Sequence, residues 1–182
     1  MGRTVKPLPL DETFRREYEI EWLHDLPSSG KVKVHGGGSG PILRVVPEGR
    51  DAFVVIVPGL AGTMTLSTMP NPREFAVFNQ REMPVIINVD EPGTATEIAH
   101  FRGHGLRNVL RLRDAGVVVM NSCCDLIGWG KRGLLWEHRG DLFCCDEPIV
   151  DIAGNQIVVH GETHQNPGRR PTVVDARTGR IM

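Results

Sequence analysis

Val117-Val118-Val119-Met120, then Leu126-Ile127-Gly128-Trp129, then a turn closing at Gly133: this stretch decides the fold, because the chain writes it three times. The earlier copy is Phe75-Ala76-Val77-Phe78, Val85-Ile86-Ile87-Asn88-Val89 and a turn ending at Gly93. The later copy is Ile157-Val158-Val159-His160, Thr172-Val173-Val174-Asp175 and a turn ending at Gly179. Gly93 to Gly133 is 40 residues, and Val118 to Val158 is again 40. Gly133 to Gly179 is 46, and the extra length fits in the polar loop Thr163–Arg170. The preceding runs agree, since Val109-Leu110-Arg111-Leu112 lies 40 residues before Ile149-Val150-Asp151-Ile152.

Each run is short and rich in Val and Ile, with Gly, Pro, Asn or Asp between runs, which predicts strands joined by tight turns. Further runs are Ile42–Val46, Ala52–Val57, Thr63–Ser67, Glu97–Phe101 and Leu134–Glu137. Prolines 41, 58, 70, 72, 84, 92 and 148 sit at run edges, where a missing N–H harms a ladder least. A period near 40 with four short strands per unit is the pattern of propeller blades. One small antiparallel sheet cannot bury both faces alone, so neighbouring sheets stack. The expected fold is therefore all-β: a propeller-like stack of four-stranded antiparallel units, with about three repeats. The segment Lys31–Ser67 holds four more candidate strands and reads as a degenerate first unit.

The N-terminal segment is expected to differ. Phe14, Tyr18 and Trp22 recur at four-residue spacing, with Arg15, Arg16, Glu17, Glu19 and Glu21 as a polar side. That predicts a short helix over 11–26, capped by Asp11 and stopped by Pro27. Tyr18 to Trp22 also alternates as a strand would. The glycine-rich stretch Gly36–Gly40 reads as a joint. The expected division is 1–30 as helix and linker, and 31–182 as the β-repeat domain. Strands 31–34 and 42–46 are candidates to return and complete the last repeat; the other candidate remedy is a second chain across a two-fold axis.

The last turn carries a resemblance. Val174-Asp175-Ala176-Arg177-Thr178-Gly179-Arg180 resembles the hairpin turn of quinoprotein-like propeller repeats, and Lys131-Arg132-Gly133-Leu134-Leu135-Trp136 is similar to the same turn with its following Trp strand. The stretch from about Met69 to the C-terminus is also similar to uncharacterised bacterial β proteins. The resemblance implies a propeller-type β-repeat fold. It implies no quinone or metal site, because Met182 stands where a Trp often follows the Thr-Gly turn.

Composition narrows the function. Lys+Arg is 21 against Asp+Glu at 22, so the net charge of −1 gives no bulk attraction to nucleic acid or anionic membrane. No apolar run approaches the roughly 20 residues of a membrane helix, and residues 1–19 lack an apolar signal core. The four cysteines, Cys123-Cys124 and Cys144-Cys145, are then expected to be reduced in a cytoplasmic protein.

Candidate chemistry is sparse. His100 and His104, with His160, Cys124 and Cys144, have the donor types of a zinc site. At strand ends, however, a four-residue spacing spans about 13 Å, and no His-Glu-x-x-His helix is present. A triad from Ser122 or Cys124 with His138 or His160 lacks any recognisable neighbourhood. The basic stretch Arg102, His104, Arg107, Arg111 and Arg113 has the charge to meet an acidic partner or a phosphate, and His164, Arg169 and Arg170 of the long loop are further binding candidates. The expectation is a non-catalytic protein-binding or scaffold module rather than an enzyme, with no cofactor, no nucleic-acid or membrane partner, and a monomer or homodimer state. The alternative is a metal-binding protein or hydrolase using the His and Cys residues.

Overall fold

A computed structural model describes residues 10–34, 40–57, 64–79, 83–98, 105–122, 125–140, 149–160 and 171–182. These residues form sixteen strands and no helix. The protein is all-β. The chain divides into two compact units, Met1–Ile98 and Ala99–Met182.

Unit 1 contains β1 (Leu10–Asp11), β2 (Tyr18–Leu23), β3 (Val32–Val34), β4 (Ile42–Pro47), β5 (Phe53–Ile56), β6 (Met64–Thr68), β7 (Glu74–Asn79), β8 (Val85–Asn88) and β9 (Ala95–Glu97). One sheet runs β1-β6-β7-β8-β9 and the other β2-β4-β5-β3. They share a core of Tyr18, Leu43, Val45, Phe53 and Val55 with Met64, Leu66, Phe75, Val77 and Ile87.

Unit 2 contains β10 (Asn108–Leu112), β11 (Val117–Asn121), β12 (Asp125–Gly130), β13 (Gly133–Arg139), β14 (Ile149–Ala153), β15 (Gln156–His160) and β16 (Thr172–Asp175). Its sheets are β10-β11-β12-β13 and β14-β15-β16. Val117, Val119, Leu126 and Trp136 pack with Val150, Ile157, Val159 and Val174 between them.

Two hairpins of unit 2 match in register. In β10–β11, Arg111 faces Val118; in β14–β15, the residues 40 further on, Asp151 and Val158, face each other in the same way. The third repeat has only the start of a fourth strand, where Ile181 bridges Val174.

The helix over 11–26 does not form. Its residues build the end of β1, a turn, and β2. Asp11 caps no helix: its Oδ1 accepts the Thr13 N–H at 3.0 Å and the Thr13 hydroxyl at 2.6 Å. The physical reason lies in the spacing itself. Four is close to one helical turn, but it is also an even number, so Phe14, Tyr18 and Trp22 suit a strand equally. Ile20 separates the two readings. It lies with Trp22 against the core, while Glu19 and Glu21 face out. Tyr18 is buried, its ring centroid is 5.7 Å from that of Phe75, and its hydroxyl donates to the Glu74 carbonyl at 2.9 Å. Burial drives its phenol pKa upward.

Strands 31–34 and 42–46 do not return to the third repeat. β3 pairs in parallel with β5, and β4 pairs with β2 and β5. The tight turn at Glu48-Gly49-Arg50, with Gly49 at φ +72°, folds β4 directly back onto β5. Of the strand expected over 97–101, Glu97 ends β9 and residues 99–101 lie outside the described residues.

Candidate functional site

Two pairs of sheet turns lie at one end of unit 2. β10–β11 turns through Arg113-Asp114-Ala115-Gly116, and β12–β13 through Lys131-Arg132. In the neighbouring sheet, β14–β15 turns at Gly154-Asn155, and β16 is followed by the turn 175–180. Antiparallel meanders place alternate turns at the same end, so these four share one end. Direct bonds link them: Arg177 Nη2 donates to the Asp114 carbonyl at 2.9 Å, and the Ala176 N–H donates to the Asn155 carbonyl at 3.0 Å.

The turn 175–180 is closed from within. Asp175 Oδ1 accepts from Arg177 N–H at 3.1 Å, Thr178 N–H at 2.8 Å and the Thr178 hydroxyl at 2.7 Å. Those bonds, the Thr178 hydroxyl foremost, hold the Asp175 carboxyl below the usual carboxylate range. Gly179 donates its N–H back to the Asp175 carbonyl at 2.8 Å. The resemblance seen in the sequence thus corresponds to a built turn.

Trp136 fixes that turn to β13. Its indole N–H donates to the Ala176 carbonyl at 2.8 Å, and His138 Nε2 lies 2.7 Å from the Gly179 carbonyl. The indole fills the space of two missing side chains. A Cβ on Gly128 would stand 2.2 Å from Trp136 Cε2, and one on Gly179 would stand 2.6 Å from Trp136 Cγ. Trp129 and Trp136 are both buried, as expected for core tryptophans, but on opposite faces: Trp136 is paired with Gly128, one residue before Trp129.

The charge at this end is one-sided. Arg113, Lys131, Arg132, Arg177 and Arg180 are all exposed, and none makes an ion pair with a described residue. The carboxylates present are Asp114 and Asp175, and Asp175 is bound within its own turn. Beside Lys131 and Arg132, edge strand β13 exposes Leu134 at 48% and Leu135 at 45%. Of these residues the sequence reading names Arg113 alone as a binding candidate; Lys131, Arg132, Leu134, Leu135, Arg177 and Arg180 enter it only as parts of the repeat turns. The others are scattered along the chain, and only adding up the charges of equivalent repeat turns would have gathered them.

Among the described residues, the remaining sequence candidates do not come together. Arg107 and Arg113 flank opposite ends of β10, and Arg111 is half-buried with Nη1 3.4 Å from the Val109 carbonyl. His160 ends β15 and sits 3.2 Å from Asp151 across the hairpin, a partly exposed pair. His100, His104, Arg102, Cys124, Cys144, His164, Arg169 and Arg170 lie outside the described residues. Among the described residues, no three His, Cys, Asp or Glu side chains are grouped to hold a metal. Ser122, buried, hydrogen-bonds Asp125 Oδ2 at 3.2 Å and its backbone N–H at 2.9 Å, so it closes a turn. His138, the other triad candidate, is engaged with Gly179.

The sequence matches no protein-family model and no curated protein. Among solved structures the fold is similar to apo AztD from Citrobacter koseri, at 12% identity and a TM-score of 0.46, covering 84% of this chain and 45% of that one. It is similar to the β-propeller domain of Myceliophteria thermophila Cps50 (Swd1), at 11% identity and a TM-score of 0.40, over 73% of this chain and 45% of that one. A third is the WD40 domain of Toxoplasma gondii coronin, at 8% identity and a TM-score of 0.43, over 94% of this chain and 51% of that one. The chain spans about half the length of these structures or less.

Proposed function

We propose that this protein is a protein-binding or scaffold module made of propeller-like β units, without a catalytic role, and that its contact surface is the β12–β13 hairpin. One observation carries the reading. Leu134 and Leu135 are large, exposed and adjacent on an edge strand, next to two exposed cations. Among the described residues β13 is the outer strand of its sheet, and an outer strand can be extended by an incoming segment. Trp136, on the same strand, ties it to the Ala176 carbonyl of the last turn, so less conformational freedom is left to lose on binding.

Affinity capture from host extract tests the proposal. Wild type is compared with Leu134→Lys/Leu135→Lys, with urea unfolding as the folding control. Proteins retained by the wild type and lost by the variant support the reading. An identical set on both sinks it. Metal analysis decides the rival: one equivalent of zinc, lost on His160→Ala, replaces the scaffold reading with a metal protein.

A further inference from the structure

We infer that the turn end of unit 2 is a docking surface for an acidic protein segment, read by Arg113, Lys131, Arg132, Arg177 and Arg180. This deepens the proposed function and rests on it, since the same hairpin supplies Lys131, Arg132 and the two exposed leucines.

The fold does not require these charges. The equivalent β8–β9 turn of unit 1 carries Asp90 and Glu91. There the cations are consumed: Arg73 Nε reaches both Asp90 carboxylate oxygens at 3.2 Å, and Arg50 Nε lies 3.0 Å from Asp90. Repeat geometry therefore accepts either sign at this position. In unit 2 five cations are exposed, with no carboxylate among the described residues paired to them.

The turns hold the charges still. Arg177 is tied to the Asp114 carbonyl, Asp175 locks its own turn, and Gly179 sits against Trp136. Closed turns fix the backbone spacing of the cations, so the ordering cost at binding falls on their side chains alone. Guanidinium forks suit carboxylates in a bidentate mode.

A protein segment fits better than nucleic acid. Single strands need exposed aromatic platforms for the bases. The described turns carry none, and Trp129 and Trp136 are buried. The whole chain bears a net charge of −1, which gives no bulk attraction to a long polyanion while leaving a short acidic segment free to meet a local patch.

The test uses the full chain and two labelled probes of matched charge: a peptide of about ten glutamates, and single-stranded DNA of about ten nucleotides. Fluorescence anisotropy is read at about 50 and 300 mM NaCl. The peptide is expected to bind more tightly than the DNA, and to weaken at least about tenfold at the higher salt. Arg177→Gln/Arg180→Gln and Lys131→Gln/Arg132→Gln are each expected to weaken peptide binding about three- to tenfold, with unchanged urea midpoints. Arg107→Gln, at the other end of β10, leaves binding unchanged. Tighter binding of DNA overturns the inference, as does peptide binding that ignores both double variants. If the peptide fails to bind while affinity capture still depends on Leu134 and Leu135, this inference falls and the scaffold reading stands.

Discussion

Gly179→Ala measures how firmly Trp136 clamps the last turn. Two separate penalties act there. Gly179 has φ +71°, a left-handed conformation that costs a side chain about 1–2 kcal/mol. The added methyl would also meet Trp136 Cγ, Cδ2 and Cβ at 2.6–2.8 Å. Trp136 cannot swing away freely, because its N–H is bonded to Ala176 and its other neighbour is Gly128. Overpacking of this kind costs about 1–3 kcal/mol. Gly154→Ala is the internal control: its φ is +64°, but nothing lies within 4 Å of its Cβ position. Gly154→Ala should therefore show the backbone cost alone. Gly179→Ala should exceed it by about 1–3 kcal/mol, a further drop of about 0.5–1.5 M in urea midpoint at a typical slope. Equal midpoints for the two variants would refute the clamp.

Arg73→Ala should destabilise the chain by about 2–3 kcal/mol in urea, because one partly buried guanidinium serves the Asp90 carboxylate and the Glu17 and Glu48 carbonyls at 3.0 and 3.3 Å; a loss under about 0.5 kcal/mol would mark it as an ordinary surface pair. Its hydrogen bond to Asp90 holds that carboxyl below 3.8, so the folded state gains stability above that pH, and the gain disappears as the pH falls through the lower folded value. Asp90→Asn should flatten acid unfolding in that window, and an unaltered acid profile would contradict the assignment. Tyr18→Phe should cost about 1 kcal/mol by removing the bond to the Glu74 carbonyl while keeping the ring on Phe75, and a neutral result would mean that bond adds nothing.

Much of the fold was legible because a hairpin writes its register locally. β-Branched runs with Gly-ended turns placed β7, β8, β11, β12, β15 and β16 within a residue or two, and the spacing of 40 reappeared as matching partners in β10–β11 and β14–β15. The N-terminus misled because three aromatics at even spacing satisfy two periodicities, and the deciding contact, Tyr18 on Phe75, is long-range. The Trp136 clamp was invisible because it joins Gly128 and Gly179, which no local pattern links. The turn end proposed as a docking surface was hard to read from the sequence for the opposite reason. Reading along the chain favoured Arg102 to Arg113 as a basic run, whereas folding sends Arg107 and Arg113 to opposite ends of β10 and gathers Arg113 with Arg177.

The account stands or falls on where a partner touches unit 2. Backbone amide chemical-shift mapping on the isotope-labelled chain, titrated with the glutamate peptide, reads this residue by residue. The predicted result is a set of shifts confined to 113–116, 131–135 and 175–180. Shifts centred instead on Arg107 and the 121–125 end, or spread evenly over both units, would contradict it.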